Sequence, residues 1–156
     1  MRVGGRLSPP GRSHAELSTM SASHVAGQNA LHLEWCPKYR YEMLRQERFI
    51  KACDEAVRGA AQRHGLKILE LSVMPDHVHC VVEIPFAMSA SEALRLLKGC
   101  SSRALFALEP KFRLRYPKGH FWSRGSFARA VGDANLETVR RYVRFDNDPY
   151  QQTLAA

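Results

Sequence analysis

Residues 74–84, Met-Pro-Asp-His-Val-His-Cys-Val-Val-Glu-Ile, contain the segment that decides the fold. Met-Pro-Asp is a turn signal, and the residues after it have the alternating pattern of a β-strand. Successive side chains of a strand point to opposite faces of the sheet. We therefore expect an apolar face that packs on helices, with both imidazoles on the opposite, more open side. The apolar face carries Val78, Cys80, Val82 and Ile84, and the other face carries His77, His79, Val81 and Glu83.

On both sides of this strand, hydrophobic periodicity predicts three further strands and three helices. Their order is that of a ferredoxin-like α+β sandwich, a split βαβ repeat whose antiparallel sheet is covered by helices on one face. The third helix, at the C-terminus, is additional to this repeat and carries Tyr142. The predicted elements are a strand from Ala30 with Leu31, Leu33 and Trp35 on one side; a helix over Arg45–His64, ended by Gly65; a strand with Leu69, Leu71 and Val73 opposite Ile68, Glu70 and Ser72; a helix over Ser89–Leu108; a basic loop over Lys111–Lys118; a strand over Phe121–Val131; and a helix from Asn135 to Asp146.

The chain length of 156 residues suits one domain. Residues 1–28 are rich in Gly, Pro, Ser and Ala without an apolar period, which predicts a flexible N-terminal tail before a domain over 29–156. We hypothesise that translation starts at Met20, inside this tail. No apolar run approaches the ~20 residues of a membrane span. The cysteines Cys36, Cys53, Cys80 and Cys100 form no paired motif, which indicates buried thiols in the reducing cytoplasm.

Lys and Arg number 23 against 15 Asp and Glu, a formal net charge of +8. This balance favours a phosphate-bearing polymer, hence nucleic acid, as the partner. A basic surface that binds nothing is the alternative. Phe112, Tyr116 and Trp122 are interleaved with basic residues and either stack on unpaired bases or belong to the core. The candidates for DNA contacts are Lys38, Arg40, Lys98, Arg103, Lys111, Arg113, Arg115, Lys118 and Arg124.

The histidine pair is the strongest chemical signal. Two histidines two positions apart on a strand have Cβ atoms roughly 6 to 7 Å apart, so that their ring nitrogens can converge on one ion. Pairs of this kind also occur as surface or hydrogen-bonded residues. The position of His77 and His79 directly after a Pro-Asp turn, on the face without the apolar set, favours a metal site.

The segment Met74–Cys80 resembles the HUH motif (histidine, bulky hydrophobic, histidine) of the small single-tyrosine transposases of bacterial and archaeal insertion sequences. These are the type numbered two hundred in insertion-sequence nomenclature. Three further segments resemble signatures of that family in the same order. Trp35–Arg40 is similar to the first-strand signature, Leu97–Arg103 to the second-helix signature, and Phe121–Gly125 to the strand before the tyrosine helix.

The resemblance implies a metal-dependent enzyme. It assigns the nucleophile to Tyr142, and it assigns a divalent ion, Mg²⁺ or Mn²⁺, to His77, His79 and the residue four positions after the tyrosine. The family commonly has Gln there, whereas this chain has Asp146, one helical turn from Tyr142. The alternative for Tyr142 is a core aromatic, because it lies beside the apolar stripe of Leu136, Val139 and Val143. Tyr116 and Tyr150 are weaker candidates for the nucleophile, because neither has a possible ligand at helical spacing.

The resemblance further implies cleavage and rejoining of single-stranded DNA with hairpins through a covalent 5′-phosphotyrosine, carried out by a homodimer. Three alternatives remain open. The chain is another HUH nuclease, such as a relaxase or replication initiator; a domesticated relative that acts on chromosomal repeats; or a ferredoxin-like nucleic-acid-binding module without catalysis.

Overall fold

The computed structural model describes residues 29–146, without the side chain of Asp146. The predicted tail over residues 1–28, including Met20, and Tyr150 lie outside the described residues. None of the described helices is both long and apolar enough to span a membrane. The elements are β1 (Ala30–Pro37), a 3₁₀ turn (Lys38–Arg40), α1 (Glu47–Arg63), β2 (Lys67–Val73), β3 (Val78–Glu83), α2 (Ala90–Leu108), the single turn α3 (Phe112–Arg115), β4 (Trp122–Val131), α4 (Asp133–Arg141) and a π-helical segment (Tyr142–Asp146).

The four strands form one sheet in the order β2-β3-β1-β4, and all three pairings are antiparallel. This is the predicted ferredoxin-like α+β arrangement, and its first six main elements appear in the predicted order. The register of β1 on β3 pairs Leu33 with Cys80 and Glu34 with His79. The polar side of β1 therefore shares a face with the histidines.

Helices α1 and α2 cover the apolar face, as predicted. The side chains that they bury come from alternating positions of β1 and β3, as expected of strands that turn one face toward the helices. The core side chains on the two strands are Leu31, Leu33, Trp35, Val78, Cys80 and Val82, and those on the two helices are Phe49, Cys53, Val57, Ala93, Leu97 and Leu105.

The ends of both long helices follow from local chemistry. Gly65 adopts a φ of 70° directly after α1, and the amide of Leu66 donates to the carbonyl of Ala61, as expected of a glycine-terminated helix. The side chain of Ser89 accepts a hydrogen bond from the amide of Glu92 and caps α2.

The predicted alternation in β2 is wrong at one position. The pairing of β2 with β3 shifts between Ile68 and Glu70, so that Ile68 lies opposite Val82 and packs on the core, whereas Leu69 does not. An extra residue at such a bulge reverses the faces of the residues before it. After the bulge, Glu70 lies opposite Val81 and therefore on the histidine face.

Two further predictions need correction. The basic stretch 111–118 is not a continuous loop, since it contains the turn α3, whose Phe112 is buried. The last helix begins at Asp133, with Gly132 rather than Asn135 at its N-cap, and α-helical winding ends at Arg141. Tyr142 opens the π-helical segment.

Candidate active site

The fold brings His77, His79 and Tyr142 together within one chain. The ring centroids of His77 and His79 are 4.9 Å apart and the rings are nearly perpendicular. The ring of Tyr142 lies 6.1 Å from that of His79, edge-on. Residues from β3 and from the C-terminal segment thus meet on the sheet face that α1 and α2 leave uncovered.

His79 is buried, with 4% of its surface exposed. The expectation that both imidazoles occupy an open face is therefore wrong for this residue. The π-helical segment packs against β2 and β3, and the polar side of β1 closes the other flank. There His32 Nε2 lies 3.0 Å from His79 Nδ1, and Glu34 Oε2 lies 3.8 Å from the same nitrogen. Burial, together with the nearby His77, His32 and Arg40, lowers the pKa of His79 to about 4, so that the imidazole is neutral at physiological pH.

His77 is held by the turn that precedes it. Its Nδ1 lies 2.6 Å from Oδ1 of Asp76, and Oδ2 of Asp76 accepts a hydrogen bond from Arg40 Nε at 3.1 Å. Burial opposes ionisation of Asp76, but the hydrogen bonds from His77 and Arg40 outweigh it and lower the pKa of the carboxyl. Arg40 itself stands in the left-handed region with a φ of 51°, directly after Tyr39 at 64°. The first-strand signature is thereby linked to the first histidine.

Tyr142 is 45% exposed, whereas the adjacent Val143 is fully buried. The alternative that Tyr142 is a core aromatic is therefore wrong, because Val143 is the residue that enters the core. A π-helix makes i→i+5 hydrogen bonds, and single π-turns are frequent at functional sites. The winding here presents the phenol to solvent above His79 while the chain stays attached to the sheet.

An ion-pair cluster fastens the tyrosine segment to β2. Arg144 donates from Nη2 and Nε to Glu70 Oε2, at 2.7 and 3.2 Å. Arg140 Nε lies 3.9 Å from the same oxygen, and the Glu70 side chain is 16% exposed. Glu70 accordingly contacts residues on both sides of Tyr142.

A cleft of about 590 Å³ opens beside the phenol, between β4 and α4. Its volume falls in the range of sites that enclose a small ligand. Basic and apolar groups line it, namely His32, Phe127, Arg129, Ala130, Val131, Gly132, Asn135, Thr138, Val139 and Tyr142.

The described side chains supply part of the ligand set that a divalent ion needs, namely the imidazoles of His77 and His79. Metal-binding histidines usually have their second ring nitrogen held by a carboxylate or another acceptor, and Nδ1 of both His77 and His79 is engaged in this way. Nε2 is then the nitrogen that would face an ion. Within residues 29–146, no group of three or more His, Cys, Asp or Glu side chains forms a metal site. The predicted third ligand, Asp146, has its side chain outside the described residues, so its role stays a prediction.

The sequence profile described as "Transposase IS200 like" matches residues 26–146. The chain belongs to the IS200-like transposase family. It is 27% identical over 117 residues to the ISDra2 transposase TnpA of Deinococcus radiodurans, covering 75% of this chain and 83% of that one. It is 30% identical over 124 residues to the transposase for insertion sequence element IS200 of Salmonella typhimurium, covering 80% of each.

Two solved structures have a fold similar to that of this transposase. The crystal structure of a putative transposase from Deinococcus radiodurans has a TM-score of 0.64 at 24% identity, over 78% of this chain and 92% of that one. A REP-associated tyrosine transposase bound to a REP hairpin has a TM-score of 0.57 at 14% identity, over 90% and 72%. The enzyme class is thus a DNA-processing transposase, and the predicted family is confirmed.

The basic residues of the transposase do not form one surface. Lys38, Arg115 and Lys118 line a groove of about 110 Å³ that also contains Tyr39 and Tyr116. Lys98 and Arg124 border a separate cleft. Lys98 Nζ donates to the carbonyl of Ser123 and to the hydroxyl of Ser126, which ties α2 to β4. Arg103, Lys111 and Arg113 are exposed elsewhere, and Arg113 stacks on Phe106.

The hypothesis that Phe112, Tyr116 and Trp122 stack on bases is wrong, because all three are buried in the core. The Tyr116 hydroxyl donates to the carbonyl of Lys38, and burial raises its pKa, so it is also unsuited as a nucleophile. The exposed aromatic residues beside Lys38 and Arg115 are instead Tyr39 and Tyr41, which are 66% and 40% exposed.

Sequence reasoning missed four polar residues around the histidines: His32, Glu34, Glu70 and Asp76. His32 and Glu34 occupy the polar positions of β1, and this was the available signal, since antiparallel pairing puts them on the histidine face. The sequence marks Asp76 only as a turn residue. Glu70 alternates with Leu71 as predicted, but its place beside the histidine face follows from the pairing of β2 with β3, which the sequence of β2 alone does not indicate.

Proposed function

We propose that this transposase is a single-strand DNA endonuclease and strand transferase that acts through Tyr142 with a divalent metal at His77 and His79. The observation that carries the proposal is the position of the exposed Tyr142 ring 6.1 Å from the buried His79. A role restricted to DNA binding has no use for this arrangement. The four cysteines are free thiols, which supports the cytoplasm as the place of action.

The proposed reaction is a transesterification. The Tyr142 Oη attacks a phosphorus of the DNA, an Oη–P bond forms, and the P–O3′ bond breaks. The phenol proton passes to water, and the 3′-oxygen leaves with the bonding electrons and takes a proton from water, so that the DNA is joined to the enzyme through a 5′-phosphotyrosine. Attack by another 3′-hydroxyl reverses these bond changes and rejoins the strand without ATP.

The chain's own residues orient the reaction. Val143 and the Glu70 cluster hold the phenol over the histidines, and the cleft lined by Arg129 gives the strand beside the scissile phosphate a place to lie. When bound, Mg²⁺ or Mn²⁺ would supply charge neutralisation on the phosphate oxygens. Asp146 is the candidate third protein ligand, with an oxygen donor that suits either ion.

Single-stranded DNA with a hairpin is the proposed substrate. Exposed Tyr39 and Tyr41 offer surfaces on which unpaired bases can stack, and Lys38 and Arg115 lie over their rings at 5.3 and 5.4 Å. The net charge of +8 favours phosphate contacts. The hairpin bound by the REP-associated neighbour supports a folded strand as the partner.

A homodimer is also proposed. β4 is an edge of the sheet, and its residues 124–130 are exposed. An exposed edge strand offers unpaired backbone groups to a second chain, and the commonest homo-oligomers are dimers with twofold symmetry. The phenol of each subunit lies 6.1 Å from His79 of the same chain, which supports a site assembled within one subunit of the proposed dimer.

The test is a covalent-adduct assay. Labelled single-stranded DNA carrying a hairpin is incubated with the protein and Mn²⁺ and then run on a denaturing gel. We expect an adduct with the wild type and with Tyr41→Phe, which removes an exposed phenol elsewhere, and no adduct with Tyr142→Phe or with His79→Ala. An adduct that survives Tyr142→Phe would place the nucleophile elsewhere. Retarded DNA in a native gel without any adduct would favour a binding module.

A further inference from the structure

His32 has a role that the reaction above does not assign. It lies in the middle of β1, its Nε2 is 3.0 Å from His79 Nδ1, and the two rings stack at 5.2 Å with planes 23° apart. The ring of His32 also lies edge-on to the phenol ring of Tyr142, with ring centroids 6.4 Å apart. One imidazole therefore touches both the second histidine of the motif and the proposed nucleophile.

A hydrogen bond between two imidazoles requires that one nitrogen carries the proton and the other accepts it. If His79 Nδ1 carries it, His79 Nε2 has a free lone pair and can bind a metal. If His32 Nε2 carries it, a neutral His79 holds its own proton on Nε2 and cannot. Glu34 Oε2 lies 3.8 Å from His79 Nδ1, and its negative charge favours the proton there.

We propose that His32 is a positioning residue that accepts the Nδ1 proton of His79 and so presents His79 Nε2 to the metal ion. Asp76 does the same for His77, at 2.6 Å, as carboxylates commonly do. At the buried His79, the imidazole of His32 thus has the role that the carboxylate of Asp76 has at His77. This inference rests on the proposed metal role of His79.

The competing role for His32 is packing beneath Tyr142. His32→Gln and His32→Leu separate the two, because both fill similar space but only the Gln side chain offers an acceptor near the position of Nε2. His32→Asn adds a second comparison, since its amide is polar but too short to reach His79 Nδ1. Packing alone predicts that Gln and Leu behave alike.

The first readout is Mn²⁺ affinity of the full chain without DNA, measured from the free-ion electron paramagnetic resonance signal. We expect His32→Leu and His32→Asn to weaken binding on the order of 10- to 100-fold, as losses of such hydrogen bonds do, and His32→Gln to stay within a few-fold of wild type. Equal affinities in wild type, Leu and Gln variants would overturn the role of His32. Mn²⁺ binding that is unaffected by His79→Ala would instead remove the metal role of His79, and with it part of the proposed function.

The second readout needs neither metal nor a variant that folds well. Nitrogen-15 spectra of the histidine rings in the metal-free wild type distinguish a protonated Nδ1 from a protonated Nε2. We expect His79 with the proton on Nδ1 and His32 with its proton on Nδ1 as well, leaving Nε2 as the acceptor. A proton on Nε2 of His79 would refute the inference even if Tyr142 forms the covalent adduct.

Discussion

Acidification should destabilise the metal-free protein through His79. Burial lowers the pKa of this imidazole from 6.5 to about 4 in the folded chain, whereas the unfolded chain keeps the ordinary value. Below the unfolded pKa the unfolded state therefore binds more protons than the folded state. The contribution of His79 to stability is complete above about pH 6.5 and is lost as the pH falls toward 4. His32, whose pKa burial also lowers, adds a loss of the same sign.

The size of the effect follows from the two pKa values. Linkage gives a loss of about 2 kcal/mol at pH 5 and about 3 kcal/mol at pH 4 for His79 alone. A domain of this size has a free energy of unfolding of roughly 5–15 kcal/mol, so the loss is readily measured. The side chain of His79 is 5% exposed, and solvent therefore screens little of this effect.

The assay is urea unfolding in EDTA at pH 7 and pH 5, followed by circular dichroism. The wild type is compared with His79→Gln and with His120→Gln, which removes an exposed imidazole that lines the groove of Lys38, Tyr39 and Tyr116 instead of the histidine site. We expect His79→Gln to lose about 2 kcal/mol less than the wild type on acidification, and His120→Gln to follow the wild type. Equal losses in all three proteins would show that His79 is not buried in its neutral form.

Three further results are expected. Ser101→Ala leaves the buried indole N–H of Trp122 without its acceptor and should lower the free energy of unfolding by about 1–3 kcal/mol; an unchanged urea midpoint would contradict this. Glu70→Gln weakens the attachment of the C-terminal π-helical segment. Amide hydrogen exchange in that segment should therefore become faster, and the yield of covalent adduct should fall while DNA affinity stays unchanged. Unchanged exchange rates would show that packing alone holds the segment. Lys118→Ala should reduce the salt dependence of DNA binding by about one ion. Lys98→Ala should leave the salt dependence unchanged and lower the stability, because Lys98 ties α2 to β4. The reverse pattern would show that DNA binds at Lys98 and not at Lys118.

The sheet and its helices were predictable because burial is periodic in the sequence. The register between strands could not be predicted, because it depends on two segments that are distant in sequence. Glu34 faces His79 only because β1 and β3 pair antiparallel with these residues opposite, a long-range relation that alternation within one strand does not contain. The bulge after Ile68 shows the same limit, because one extra residue moved Ile68 onto the core face in place of Leu69.

The two histidines of the candidate site were predictable because a short motif carries them, and Tyr142 was predictable only from the family resemblance. Their surroundings were not, since polarity in sequence does not indicate exposure. Alternation predicts an open face for His79, yet the residue is almost completely buried, because His32, Glu34 and a segment more than sixty residues further along the chain cover it. Arg40 is a predicted DNA contact, and in the structure it binds Asp76. Its role at DNA stays a prediction.

The π-helical winding at Tyr142 explains how one short segment both anchors and presents the proposed nucleophile. Val143 enters the core, and Arg144 binds Glu70 on β2, so the backbone around the phenol is fixed to the sheet immediately after Tyr142. The distance between the phenol and His79 is therefore set by β2 and β3 rather than by the length of α4. The cleft between α4 and β4, the proposed place of the DNA strand, lies on the other side of the phenol from β2 and β3 only in part, since His32 of β1 also lines it. The sheet thus positions both halves of the site, the imidazoles through β3 and the phenol through β2.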